Sequence, residues 1–163
     1  MKDDVLKENI STIEKITIGN GKEFEAEVGR FTEPLRMEKL GCSIVDLKPG
    51  KKAWPYHLHY GNDELFIILK GSGVIRYDDE EHNVSEGDVI YTPSGDGTAH
   101  QIINTSSKVL QYYAVSTRQD PEICYYPDSE KFGSYYTDKD ANQRNAFIAN
   151  KDSNTGYYSG EEK

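Results

Sequence analysis

Residues 50–71 read GKKAWPYHLHYGNDELFIILKG, and this segment contains two of the four histidines of the chain. Residues 54–59 and 64–69 are rich in aromatic and aliphatic types, and the residues between them are typical of a turn, so the segment predicts two strands. Side chains alternate between the two faces of a strand, so His57 and His59 project from the same face. Glu64 begins the second strand, where the hairpin places its carboxylate beside the histidine pair.

The second of these strands is apolar on both faces. Glu64, Phe66 and Ile68 share one face, while Leu65, Ile67 and Leu69 share the other. A strand buried on both sides needs a cover outside as well as a core within. The cover is either an N-terminal hairpin or a second subunit, and we favour a homodimer.

Strand signals extend along the chain on both sides of this segment. Short apolar runs closed by Gly, Pro, Asn or Asp recur at 43–47, 74–77, 89–92, 100–103 and 109–115. Before them, residues 16–18 and 24–28 flank Asn20-Gly21, which predicts a β-hairpin that extends one sheet. Many short strands with regular turns predict an antiparallel sandwich or barrel.

A third histidine, His100, begins a later predicted strand after the loop 92–99. Three imidazoles and the carboxylate of Glu64 on rigid strands suit a borderline divalent transition metal. Separate surface or core histidines are the alternative, and we expect His82, in the charged turn 80–83, to be one of those. A His-x-His pair alone would be a weak signal, but the added carboxylate and third imidazole favour a metal site.

Two ordered motifs carry a resemblance to the cupin superfamily, and they span about residues 40–116. The first is present as Gly50, His57, His59, Glu64 and Gly71; the second is present as Gly87, Pro93, Gly95, His100 and Asn104. One extra residue before His57 and two extra residues before His100 depart from the family pattern, and both insertions fall in loops. The chain is most similar to small bacterial-type stand-alone cupins with one domain, a group often labelled sugar-phosphate isomerase-like.

This resemblance implies an all-β fold, a double-stranded β-helix or jelly-roll barrel with one metal near its centre. We expect an N-terminal extension with a β-hairpin at 1–36, the cupin barrel at 37–117, and a polar, tyrosine-rich C-terminal extension at 118–163. Beyond Thr137 the extension has little apolar surface to bury, so we expect it to be partly mobile.

The metal ligands predicted are His57, His59, Glu64 and His100, and the ion is Mn, Fe, Co, Ni, Cu or Zn. By strand parity and position, the residues expected to line the pocket are Trp54, Phe66, Ile68, Tyr91, Ile102 and Tyr112. Asn104 either faces inward or, more often for the last residue of this motif, fixes a turn. No basic cluster accompanies the motifs, so the sequence offers no support for a phosphorylated substrate.

Three classes of function fit such a site. The first is a metal-dependent oxygenase, isomerase or lyase that acts on a small oxygen-rich molecule, with Glu64 as a ligand that could loosen to act as a base. The second is a non-catalytic module that captures a sugar or carboxylate at the metal. The third is a scaffold dimer in which four protein ligands close a structural zinc site.

Composition excludes other classes. A formal net charge of −9 with scattered Lys and Arg argues against a nucleic-acid partner, and no apolar run is long enough to span a membrane. The charged N-terminus does not resemble a signal peptide. Cys42 and Cys124 are far apart with no disulfide framework around them, which favours two free thiols over a bridge. We therefore expect a cytoplasmic protein.

Overall fold

The computed structural model describes residues 5–138 and 143–161. The strands in these residues are β1 (Ile16–Gly19), β2 (Glu25–Arg30), β3 (Leu40–Leu47), β4 (Leu58–His59), β5 (Glu64–Lys70), β6 (Ser72–Tyr77), β7 (Glu80–Ser85), β8 (Val89–Thr92), β9 (His100–Ile103), β10 (Leu110–Thr117), β11 (Glu122–Tyr126), β12 (Lys131–Asp138) and β13 (Gln143–Asn150). Two short 3₁₀ helices, Pro127–Ser129 and Lys151–Ser153, are the helices of the described part. None of its helices has the length and apolar character that a membrane span requires.

The strands form three antiparallel sheets. The largest has the order β1-β2-β3-β10-β5-β8, the second has the order β7-β6-β9, and the third has the order β13-β12-β11-β4. The core fills the space between the first two sheets, where Leu47, Ile68 and Leu110 from the first meet Ile75 and Ile102 from the second. This arrangement confirms the predicted all-β jelly roll.

Six of the predicted strands correspond to β3, β5, β6, β8, β9 and β10. The prediction at 54–59 was too long, because β4 holds only Leu58 and His59. Pro55 has no N–H to give to a ladder, and proline is rare inside paired strands.

The charged turn predicted at 80–83 was wrong, because these residues belong to β7, which pairs with β6. The turn lies just before them, at Asp78 and Asp79, whose φ angles of 49° and 63° are those of a tight hairpin turn. The charged side chains of β7 face solvent, so the strand lacks an apolar pattern. His82 is exposed on it, as predicted.

The N-terminal hairpin forms as predicted and adds two strands to the edge of β3. It does not lie over the outer face of β5, where Leu65, Ile67 and Leu69 are each only half-buried. That a second subunit covers this face stays a prediction. Cys42 and Cys124 are both free thiols, as predicted.

The C-terminal extension contains more strand than its composition suggested. β11 pairs with β4, and β12 and β13 continue that sheet outward. The strand at 143–150 was not predicted, because its paired backbone rather than buried apolar area supports it. Residues 139–142 and 162–163, part of the region expected to be mobile, lie outside the described residues.

Asn104 fixes the turn between β9 and β10. Its side chain is fully buried; Nδ2 donates to the carbonyls of Leu47 and Lys108, each at 2.7 Å. Its Oδ1 accepts hydrogen bonds from the backbone N–H and the hydroxyl of Ser106, at 3.0 and 2.8 Å. One amide thus satisfies groups on β3 and on both sides of the turn, which accounts for an asparagine in this position of the motif.

Replacing Asn104 with alanine should lower the free energy of unfolding by about 2–4 kcal/mol, because the substitution leaves buried carbonyl groups without hydrogen-bond donors. Chemical denaturation measures this loss. The control is Asn83→Ala on the exposed face of β7, where we expect a change within about 0.5 kcal/mol. Equal effects of the two substitutions would contradict the role assigned to Asn104.

Candidate metal centre

Four side chains converge at one end of the barrel. His57 lies just before β4 and His59 lies on it, while Glu64 and His100 are the first residues of β5 and β9. Ligand atoms of His57, His59, Glu64 and His100 all lie within 4.8 Å of one another. At metal–nitrogen distances of about 2.1 Å, ligands on opposite sides of an ion are about 4 Å apart, so a small inward movement closes this set. The structure therefore brings together the four residues that the sequence singled out as ligands.

Backbone hydrogen bonds hold two of these ligands side by side. The N–H of His57 donates to the carbonyl of His100 at 3.2 Å, and the N–H of His100 donates back at 2.8 Å. Such a reciprocal pair fixes two opposite residues of antiparallel chains at close range. The imidazole ring centres of His57 and His100 are 4.8 Å apart as a result.

Pairing with neighbouring strands positions the other two candidate ligands, Glu64 and His59. Glu64 begins β5 and is held between Ser116 of β10 and Thr92 of β8. Its Oε2 lies 2.8 Å from Nε2 of His100 and 3.3 Å from Nε2 of His59. His59 ends β4 and lies opposite Cys124 of β11, so the C-terminal extension supports its backbone.

A hydrogen bond on the far side of the His57 ring leaves its other nitrogen available. Nδ1 of His57 donates to the carbonyl of Pro55 at 2.7 Å, which leaves Nε2 unprotonated in the neutral ring. Among the described residues, the buried atoms His59 Nε2 and His100 Nδ1 have no hydrogen-bond partner. Buried polar nitrogens are rarely left unpaired in folded proteins. The unpaired Nε2 of His59, which faces the Glu64 carboxylate, and the donor types together fit a divalent transition metal.

The histidines differ in their affinity for protons. Burial lowers the pKa of His57 to about 3, and the neighbouring His100 adds to this effect. Burial acts the same way on His59, but the close contacts with Cys124, Glu122 and Glu64 outweigh it and raise the pKa to about 12. Burial alone would raise the pKa of Glu64, but the hydrogen bond from His100 and the close approach of His59 bring it below its usual value.

The four side chains open onto a cavity of about 470 Å³, a size suited to a small molecule. Of the residues predicted to line it, Trp54, Phe66, Ile102 and Tyr112 do so. Ile68 and Tyr91 do not. Ile68 faces inward but lies further along β5 in the packed core, and Tyr91 is on the outer face of β8 with 56% of its surface exposed.

The cavity wall also contains charged residues that the sequence did not indicate. Arg30 from β2, Arg118 after β10 and Arg144 from β13 all line it. The guanidinium of Arg118 is anchored by the carbonyl of Met37 at 2.9 Å. These arginines are far apart in sequence and outside the two motifs, so no local pattern could have grouped them.

A second missed group lies on β11. Glu122, Cys124 and Tyr126 line the cavity, and the ring of Tyr126 stacks on His57 with ring centres 5.9 Å apart. Their spacing of two residues is the signal that could have identified them, because it places all three on one face of a strand.

Comparison with known proteins supports the fold. Residues 43–116 match the family model described as "Cupin domain". An "Oxalate-binding protein" of Thermotoga maritima is 29% identical over 112 residues, which are 68% of this chain and 91% of that protein.

Two crystal structures are also similar over most of their length. One, from Silicibacter pomeroyi, is named a sugar phosphate isomerase from a cupin superfamily; it is 25% identical with a TM-score of 0.77, covering 90% of this chain and 94% of that one. The other, from Thermotoga maritima, is named a predicted oxalate decarboxylase; it is 29% identical with a TM-score of 0.59, covering 67% of this chain and 96% of that one.

The pKa values predict proton release on metal binding. At pH 7 the imidazole of His59 in the metal-free protein, with a pKa near 12, should be doubly protonated and charged, whereas the imidazole of His57, with a pKa near 3, should be neutral with its single proton on Nδ1. An ion must displace the Nε2 proton of His59, so metal affinity should rise about tenfold per pH unit near neutrality. Calorimetry in two buffers of different ionisation enthalpy should report about one proton released. Release of no proton would contradict the protonation assigned to His59.

Proposed function

From the premise that this chain is a member of the cupin superfamily, we propose that it binds a divalent transition metal and uses it to bind a small, oxygen-rich anion. The observation that carries this proposal is the convergence of three imidazoles and one carboxylate at the wall of an open cavity. The residues that would hold the ion are His57, His59, Glu64 and His100. Their chemistry suits Mn, Fe, Co, Ni, Cu or Zn and does not select among these.

The four protein ligands leave room for a small molecule. These four side chains would hold the ion, and the open cavity beside them would give oxygen atoms of a ligand access to it. When bound, the ion supplies Lewis acidity toward those oxygens. Phe66 packs against the ring of His100, with ring centres 5.5 Å apart, and limits water around the ligands on the core side.

An anion is favoured by the charges around the cavity. The chain is acidic overall, with a net charge of −9, yet three arginines from separate segments line this one cavity. Guanidinium groups bind carboxylates and phosphates through paired hydrogen bonds. The names of the similar proteins, with oxalate and sugar phosphate, also refer to oxygen-rich anions. The lining also contains three acidic residues, Glu33, Glu64 and Glu122. Their negative charge offsets the positive charge of the arginines, and the positive charge of a bound ion would restore the attraction for an anion.

Capture and catalysis would use the same site. Capture without turnover is the simpler proposal, and the 29% identity to an oxalate-binding protein supports it. An isomerase, lyase or oxygenase activity remains the second candidate. Product analysis after incubation of the metal-loaded protein with an anion that binds it separates the two.

The ligand set predicts the effect of removing two imidazoles. The double variant His57→Ala, His59→Ala should lose the metal, because two ligands cannot compete with water and buffer for the ion. Elemental analysis of untagged protein measures metal per chain. The control is His82→Ala, which alters an exposed imidazole on β7 and should leave the metal content unchanged. A double variant that keeps its full metal content would overturn the ligand assignment.

If the arginines of the cavity wall bind an anion, removing their positive charge should weaken anion binding. In Co²⁺-loaded protein, Arg30→Gln and Arg118→Gln should each weaken binding of oxalate or inorganic phosphate by about tenfold, since each removes a charged hydrogen-bond donor. Isothermal titration calorimetry measures both anions. Arg36→Gln is the matched control, because Arg36 is exposed and does not line the cavity. Equal affinities in all three variants and the parent would refute an anion site at the arginines.

A further inference from the structure

Strand β11 buries a carboxylate and exposes an isoleucine. Glu122 is 2% exposed and Cys124 is 3% exposed, while Ile123 between them is 46% exposed. Burying a carboxylate costs free energy unless it is paired and hydrogen-bonded. Because burying Glu122 while exposing Ile123 is unfavourable for stability, this pattern indicates that the carboxylate has a functional role in the cavity.

The partner of Glu122 is a metal-ligand candidate. Oε1 of Glu122 lies 3.3 Å from Nδ1 of His59, the ring nitrogen on the side away from the other candidate ligands. The opposite nitrogen, Nε2, lies 3.3 Å from the Glu64 carboxylate within the four-residue cluster. One imidazole therefore joins the cluster to a buried carboxylate.

Cys124 is close to the same nitrogen, with Sγ 3.3 Å from Nδ1 of His59. A carboxylate oxygen is a much stronger acceptor than a thiol sulfur. We therefore expect Nδ1–H of His59 to donate to the carboxylate of Glu122, with Cys124 packed beside this hydrogen bond.

The surrounding backbone is shaped to admit the carboxylate. The N–H of Gly61 donates to Oε1 of Glu122 at 3.3 Å. A Cβ on Gly61 would lie 2.8 Å from Oε2 of Glu122, closer than real Cβ contacts allow. Glycine at this position of the β4–β5 turn thus leaves space for the carboxylate.

We propose that Glu122 is a positioning residue of the metal centre, which holds the proton on Nδ1 of His59 and directs Nε2 toward the ion. A carboxylate behind a metal-bound imidazole fixes the ring and raises its basicity. Glu122 lies outside residues 43–116, so the C-terminal extension would complete a centre whose ligands all come from the family-matched segment. This inference rests on the proposed metal site.

The test measures Zn²⁺ affinity by chelator competition in the full-length parent, Glu122→Gln and Glu122→Ala. We expect affinity to fall about 10- to 100-fold in Glu122→Ala, with a smaller loss in Glu122→Gln, whose amide oxygen still accepts a hydrogen bond. The control Glu130→Gln, which changes an exposed acidic residue of the same extension, should stay within a few-fold of the parent. Thermal unfolding of each metal-free variant identifies any loss that comes from misfolding, and only variants that fold like the parent are compared.

A second measurement follows the protonation of the His59 imidazole. Long-range ¹H–¹⁵N spectra of the Zn²⁺-loaded parent should show His59 protonated at Nδ1, with that proton shifted or exchanging faster in Glu122→Gln. Unchanged affinity and an unchanged His59 signal in both Glu122 variants would overturn the proposal while leaving the metal site intact. Two Zn²⁺ ions per parent chain, with one lost in Glu122→Ala, would also overturn it, because Glu122 would then be a ligand. If the parent binds no metal through His57 and His59, the proposed function itself fails.

Discussion

The two reciprocal hydrogen bonds between the backbones of His57 and His100 are the constraint on which the site depends. They join the end of the loop after Trp54 to the start of β9, and so bring residues 43 positions apart into contact. Once this pair is set, His59 follows on the same side of the chain, and the short turn to β5 brings Glu64 to the same place. The cluster is therefore a consequence of strand pairing, and the side chains have little freedom to separate.

The barrel supplies ligands, whereas the extensions supply the surroundings. Arg30 comes from the N-terminal hairpin, and Glu122, Tyr126 and Arg144 come from the C-terminal sheet. β4 is only two residues long, and its pairing with β11 is what keeps it in place. The C-terminal extension therefore both supports the strand that carries His59 and supplies side chains to the cavity wall. This arrangement allows the lining of the cavity to vary while the four candidate ligands stay the same.

The centre concentrates polar groups where a purely structural barrel would be apolar. Two buried imidazole nitrogens and one carboxylate oxygen have no hydrogen-bond partner among the described residues. Groups of this kind cost stability, and proteins retain them mainly where function requires them. The opposite pKa displacements of His57 and His59 have different causes: burial lowers the pKa of His57, whereas Cys124 and the carboxylates of Glu122 and Glu64 outweigh burial and raise the pKa of His59.

The order of glycines, histidines and Glu64 in two motifs was enough to predict the jelly roll, most of its strands and the four residues of the cluster. These predictions succeeded because strand periodicity and short turns act between residues close in sequence. The sequence missed β7, whose charged residues face solvent, and misplaced Ile68 and Tyr91, because parity alone does not give depth along a strand. It also missed Glu122 and the three arginines. The spacing on β11 could have placed Glu122 on one face of its strand, but whether that face and the arginines reach the cavity depends on which distant strands pair, and the packing of the whole chain decides that pairing.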